Sequence, residues 1–191
     1  MTLSTLWLTL YAAWIASEIL IAVFTRTRRG SAANIHDRGS MLILWLVIVS
    51  SITACQWISA THPPNMFGGA TSVLTTIAIG LISAGLAIRL TAVFSLGKAI
   101  SANVAIRESQ HLNQSGLYSV VRHPSYLGLL LIFLAVGVHS RQWLSCAFAV
   151  IPATAALLYR IHIEEAALQQ AFGDEYAAYA KRTKRLIPGV L

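Results

Sequence analysis

The chain has 191 residues, of which 56% are hydrophobic and only 11% charged, with a formal net charge of +7. Soluble domains carry about 25% charged residues, so a water-soluble globule of this size is excluded, because it could not cover its surface with polar groups. The basic excess has no recognition motif or aromatic-interleaved basic stretch beside it, so no nucleic-acid partner is expected; it suits loops facing anionic lipid.

A bilayer-spanning helix needs roughly 20 mostly apolar residues. The first such block covers residues 3–24. No Lys or Arg precedes it and it is long enough to span, so it reads as a membrane segment and not as a cleaved leader. Residues 25–40 are polar and hold Arg26, Arg28, Arg29 and Arg38. The second block, 41–60, runs up to His62-Pro63-Pro64, where proline stops a helix. The third covers 72–96 and is followed by a longer polar stretch, 97–123. The fourth block covers 124–138 and the fifth 143–161, with only His139-Ser140-Arg141-Gln142 between them, which predicts a tight helical hairpin. The tail from His162 is polar and is expected to be helical in two pieces, broken near Gly173. The fold class is therefore all-α: an integral membrane bundle of about five transmembrane helices with a C-terminal helical tail. One domain is expected over 1–191, with three spanning helices in 1–96 and two more plus the tail in 97–191.

All but two of the fourteen Lys and Arg lie after the first block, after the third, or from Arg160 to the end; the exceptions are Arg89 and Arg141. The positive-inside rule then predicts an outside N-terminus and a cytoplasmic C-terminus. Cys55 and Cys146 both fall in apolar blocks and read as packing residues. His36, His62 and His139 are scattered at no ligand spacing, and no metal is expected. Glu18, deep in the first block, is costly there and should face the bundle as a hydrogen-bond acceptor, with protonation as one way to lower that cost. Arg89 is expected to snorkel toward the surface.

Chemistry is expected on the face that carries the two longest polar regions. Pro124 follows Arg122-His123 and suits a first helical position, with Gly116 upstream as a turn residue. The start of the fourth helix, with Arg122 beside it, is either an anion site or an ordinary start whose Arg meets lipid phosphate. Tyr118 and Tyr126 are either interfacial belt residues or an aromatic wall for a flat ring or a cation. Glu164-Glu165 at the end of an apolar helix is unusual. It is either a solvated pair, with Arg160 four residues back, or one carboxylate turns inward to a cationic ligand or to Arg122. The tail is either an amphipathic helix on anionic lipid or a flap that brings Arg185 to a pocket.

Two motifs add to this. The stretch His111-Leu112-(x)3-Gly116-Leu117-Tyr118-(x)3-Arg122-His123-Pro124-Ser125-Tyr126-Leu127-Gly128 resembles the signature of the isoprenylcysteine carboxyl methyltransferase family. Glu164-Glu165-(x)2-Leu168-(x)3-Phe172-Gly173-(x)2-Tyr176-(x)2-Tyr179, with Ile187-Pro188-Gly189, is similar to that family's C-terminal block, and Leu96-Gly97 also fits. The likeness covers roughly the C-terminal half. It implies a cytosol-facing enzyme that uses S-adenosylmethionine, bound between the Arg-His-Pro helix start and the C-terminal region. By position it implies His111, Gly116, Leu117, Tyr118, His123, Pro124, Tyr126, Gly128 and Glu164 at the cofactor, with either glutamate at its amino group or ribose. Arg122 and Glu165 would be catalytic, and Arg185 would contact the substrate, a lipophilic acceptor such as an isoprenylcysteine carboxylate. Similar folds methylate small thiols or phospholipid amines, or reduce sterols with NADPH; no Gly-x-Gly-x-x-Gly is present here. A non-enzymatic scaffold or transporter subunit is the reading from another class, with Glu18 as its support.

Overall fold

In hydrocarbon every backbone N–H and C=O must be satisfied within the segment, so the apolar blocks become helices. The structure is a computed structural model that describes residues 2–25, 33–35, 39–66, 70–96, 105–107 and 112–187. Its helices are α1 (Leu3–Thr25), α2 (Ser40–Thr61), α3 (Thr71–Leu96), α4 (Pro124–His139) and α5 (Trp143–Arg182), with a 3-10 turn at Gly116–Ser119. The first four match the expected segments to within about a residue at each end, the usual scatter of helix boundaries. Four helices are long and apolar enough to cross a membrane. The exception, α4, has 16 residues, about 24 Å of rise, which is less than the hydrocarbon thickness of about 30 Å.

Two features depart from the expected outline. Helix α5 does not stop at 161 but continues through the polar tail to Arg182. The Ala, Gln, Glu and Leu residues there are strong helix formers, and the helix is interrupted at Gly173, whose φ of 50° and ψ of −121° reverse the chain direction. The polar stretches after α1 and α3 also hold two short strands, β1 (Ala33–Ile35) and β2 (Ala105–Arg107), paired antiparallel with Ala33 opposite Arg107. Strand β2 also touches α5.

Helix α3 packs most extensively on α4, α2 packs on α5, and α4 also packs on α5, while α1 rests on α3. Small residues allow the closest approaches, as is usual in membranes. A Cβ on Gly85 of α3 would lie 2.7 Å from the Gly128 carbonyl, and one on Gly128 would lie 2.7 Å from the Gly85 carbonyl. The core beside this crossing is Ile82, Leu129, Ile132, Phe133, Ala149, Ala153 and Leu157. Helices α1 and α2 leave Leu8, Leu20, Phe24, Leu46 and Trp57 exposed, as expected of faces bathed in lipid. Trp7 stacks on His139 and Trp14 meets Phe133 edge-on, which seats α1 against the bundle. Both cysteines are free.

The α4–α5 hairpin turns through Arg141, which has a φ of 56°. Its carbonyl accepts from the Asn65 and Met66 amides at 3.0 Å each, and its guanidinium donates to Thr71 Oγ1 at 2.7 Å. The Gln142 side chain caps α5 by accepting from the Ser145 amide.

Arg89 does not snorkel. It is 8% exposed, and its Nε and Nη2 meet the two carboxylate oxygens of Glu18, with Nη2–Oε2 at 2.7 Å. The fork of a guanidinium matches a carboxylate in this way, so Glu18 faces the bundle as expected but as half of an ion pair and not as a lone carboxyl group.

Candidate functional site

The site begins with the turn that precedes α4. Gly116 takes a φ of 57°, a left-handed conformation that glycine adopts without steric cost. The following 3-10 turn buries Tyr118, whose hydroxyl donates to the Ala92 carbonyl of α3 at 3.3 Å. Residues 120–123 then pair with the end of the tail, with Val121 bridged to Lys184. The Arg122 amide donates to the Lys184 carbonyl at 2.8 Å, the His123 amide to the Arg185 carbonyl at 3.1 Å, and the Lys184 amide to the Val120 carbonyl at 3.3 Å. Pro124 opens α4 with His123 as its N-cap, and the Tyr126 and Leu127 amides both donate to the His123 carbonyl at 3.1 Å. The donors around this helix start are thus directed into the protein.

The tail reaches this position because Gly173 turns the arm 174–182 back on α5. Tyr176 and Tyr179 are the buried face of that arm. The Tyr179 hydroxyl donates to the Tyr118 carbonyl at 2.6 Å, and burial pushes its pKa up to about 12 despite the nearby Arg122. The tail therefore folds back onto the start of α4. Arg185 Nη2 lies 2.8 Å from Glu165 Oε2.

Glu165 is the hub of the cluster. Its Oε1 accepts from Arg122 Nε at 2.9 Å and faces His123 Nε2 at 3.4 Å, while Oε2 pairs with Arg185. Burial opposes the charge, but His123, Arg122 and Arg185 together outweigh it and hold the carboxyl down to about 2. It lies beyond the apolar part of α5, which ends at Ile161. Arg122 also donates through Nη1 to the carbonyls of Ala180 at 3.0 Å and Thr183 at 2.5 Å, so one guanidinium joins α4, α5 and the tail. Glu164, one residue earlier and turned by about 100° on the helix, accepts from the Tyr126 hydroxyl at 2.8 Å. Tyr126 stacks on His123 with ring centroids 5.7 Å apart and lies 3.4 Å from Arg160 Nε. The Tyr176 hydroxyl, buried beside Glu165, meets no partner in hydrogen-bonding geometry.

This arrangement draws Arg122, His123, Tyr126, Glu164, Glu165 and Arg185 into one cluster, with the two sequence motifs in contact. The chain as a whole is 31% identical over 183 residues to a probable protein-S-isoprenylcysteine O-methyltransferase of Oryza sativa subsp. indica, covering 92% of this chain and 95% of that one. It is 32% identical over 158 residues to protein-S-isoprenylcysteine O-methyltransferase B of Arabidopsis thaliana, covering 81% of this chain and 75% of that one. The chain belongs to the isoprenylcysteine carboxyl methyltransferase family. The family model described by that name matches residues 77–170, from within α3 through both glutamates. A shorter match, 42% identical over 72 residues, is to methanethiol S-methyltransferase 1 of Bradyrhizobium diazoefficiens, covering 38% of this chain and 24% of that one. The protein is a multi-pass membrane methyltransferase.

Other family-motif positions take different places in this methyltransferase. Gly128 lies at the α3–α4 crossing, with its Cα against Gly85 and the Arg89 backbone. Pro124 is buried at the helix start, and Leu117 is half-buried in the 3-10 turn. Tyr118 supports the cluster from behind through Ala92 and Tyr179. His111, Gly97, Pro188 and Gly189 lie outside the described residues. No group of His, Cys, Asp and Glu that could hold a metal occurs among the described residues. Sequence reasoning gave no role to Ser125, Tyr176 or Thr183. Thr183 acts through its backbone carbonyl, which has no signal in a sequence. Ser125 and Tyr176 stand inside the motifs, but their roles depend on what folds against them.

Proposed function

We propose that this enzyme transfers the methyl group of S-adenosylmethionine to the carboxylate of an isoprenylcysteine-like lipophilic acceptor. The reaction takes place at the cytoplasmic face, with the N-terminus outside. The whole chain forms one domain, in which residues 97–191 carry the catalysis. The observation that carries this reading is the convergence of the Arg122-His123-Pro124 helix start, the Glu164-Glu165 pair and the returning tail on one cluster of mixed charge.

The residues suit such a donor. Glu164, with its side chain 32% exposed, is an anionic partner for an amino group or ribose. His123, Tyr126 and Tyr118 offer aromatic surface to adenine and the sulfonium. Gly116, Leu117, Pro124 and Gly128 shape the wall, and His111 belongs to the same group by motif position. When bound, S-adenosylmethionine supplies a methyl carbon activated by its sulfonium. An acceptor carboxylate is already ionised at neutral pH, so the protein has no proton to remove and its contribution is alignment. Arg185, 46% exposed in its side chain, can turn from Glu165 to the acceptor carboxylate. Arg122 and Glu165 keep the reacting centre rigid.

Methyl transfer to a small thiol is a second reading, favoured by the methanethiol S-methyltransferase relative. It requires a base, and His123 stands beside both glutamates.

The test uses protein purified into lipid nanodiscs. S-adenosylhomocysteine should stabilise it and NADPH should not. With methyl-labelled donor, farnesylcysteine should yield a base-labile methyl ester. Labelling of methanethiol without ester formation would select the thiol reading, and a lack of response to S-adenosylhomocysteine would refute methyl transfer.

A further inference from the structure

The Glu18–Arg89 pair lies outside the cluster described above. Glu18 is on α1, Arg89 on α3, and they are 9% and 8% exposed. Burying two charges is costly, and an apolar pair of the same volume would hold α1 on α3 as well or better; Trp7 and Trp14 already seat α1. A stabilising role alone therefore gives no reason for the charges. The third arm of the guanidinium supplies one. Arg89 Nη1 donates to Ser125 Oγ at 2.6 Å and to the Ser125 carbonyl at 3.3 Å. Ser125 is in the first turn of α4, between His123, which faces Glu165, and Tyr126, which bonds Glu164.

The tail holds the α4 start from one side, through the Arg122 and His123 amides, and Arg89 holds its first turn from the α3 side. His123 provides no side-chain cap. The Gly85–Gly128 crossing, with Ile132 packed against Gly85, sets the approach of the two helices one turn further along α4. With side chains reaching about 5–6 Å from the helix axis, a roll of about 20° moves their tips by about 2 Å. That is enough to break the 2.8 Å bond from Tyr126 to Glu164.

We infer that Glu18 and Arg89 are positioning residues of the methyl-transfer site: Glu18 orients Arg89, and Arg89 fixes the rotation of the α4 start by gripping Ser125. This inference rests on the functional reading above. Displacements of about 1 Å can cost an in-line reaction about a hundredfold, so the effect belongs in kcat.

The experiment compares wild type, Ser125→Ala and the double variant Glu18→Leu/Arg89→Met, each full-length in nanodiscs. The double variant removes both charges together and leaves neither unpaired. Two readouts are taken: kcat and KM for both substrates, and hydrogen–deuterium exchange over residues 123–128 of the ligand-free protein. The double variant should keep the wild-type melting temperature, lose about tenfold in kcat with KM changed less than about twofold, and exchange faster over 123–128. Ser125→Ala should shift both readouts in the same direction by less, and adding it to the double variant should lower kcat no further. A folded double variant and a Ser125→Ala variant that both match wild type in kcat and exchange would overturn the inference. If the double variant does not fold, Ser125→Ala decides alone by the same criteria. If wild type methylates no acceptor, the functional reading fails, and unchanged exchange over 123–128 still counts against the positioning role.

Discussion

Replacing Glu165 by Gln should loosen the tail before any ligand is present. The carboxyl is held at about 2 instead of its ordinary 4.5, which corresponds to about 3 kcal/mol of preference for the ionised form in the folded site. With its side chain only 12% exposed, little of that is lost to solvent screening. The amide oxygen of Gln can still accept from Arg122, so the expected cost of docking is about 2–3 kcal/mol, in line with hydrogen bonds to charged groups. Because the folded pKa is depressed, the stabilisation is complete above about pH 4.5 and is lost as pH falls through about 2; at pH 3 roughly 1.4 kcal/mol remains. The assay is native-state hydrogen exchange at the Arg122, His123 and Lys184 amides, which bond the tail to the α4 start. Protection in Glu165→Gln should drop by about 30- to 150-fold at neutral pH, and the gap from wild type should narrow toward pH 3. Equal protection in the two proteins, or a gap of the same size at both pH values, would refute this account of the ion cluster.

Arg122→Lys keeps a charge but loses the fork that reaches Glu165, Ala180 and Thr183; steady-state kinetics should show kcat falling more than donor KM rises. Tyr126→Phe removes the hydroxyl that holds Glu164 in place and should weaken S-adenosylhomocysteine binding in titration calorimetry while the bundle stays folded. Gly128→Ala would place its methyl 2.7 Å from the Gly85 carbonyl and should destabilise the bundle by about 1–3 kcal/mol in denaturant unfolding. Lys184→Cys should resist an impermeant thiol reagent added to intact cells, as a cytoplasmic tail requires; strong labelling would invert the topology.

Helix boundaries were legible because hydrophobic length and proline placement are local signals. Pro124 starts α4, His62-Pro63-Pro64 follows α2, and Gly173 breaks the tail, each where the sequence predicts. The continuation of α5 past the membrane was less legible, since polarity marks where lipid ends and not where a helix ends. The partnership of Glu18 with Arg89 spans 71 residues and could not be read from spacing. The meeting of Arg122 with Glu165 was one of two open alternatives. Only the folded chain shows that both Glu165 oxygens are engaged and that the tail returns as a strand-like partner of residues 120–123. The contact of Gly128 with Gly85 was not legible either, because a close helix approach leaves no mark in the sequence beyond the glycine itself.

The shortness of α4 bears on where the reaction takes place. Its His139 end is level with the start of α5, because residues 140–142 join them directly. A helix of 16 residues is about 6 Å shorter than the thickness of the oil layer. A bilayer accommodates so short a helix by thinning or by dipping its headgroups toward it. Where the bilayer thins in this way, a prenyl chain can stay dissolved in it while its carboxylate reaches the level of the α4 start. The acceptor then needs to diffuse in only two dimensions, and the long hydrocarbon is never lifted into water.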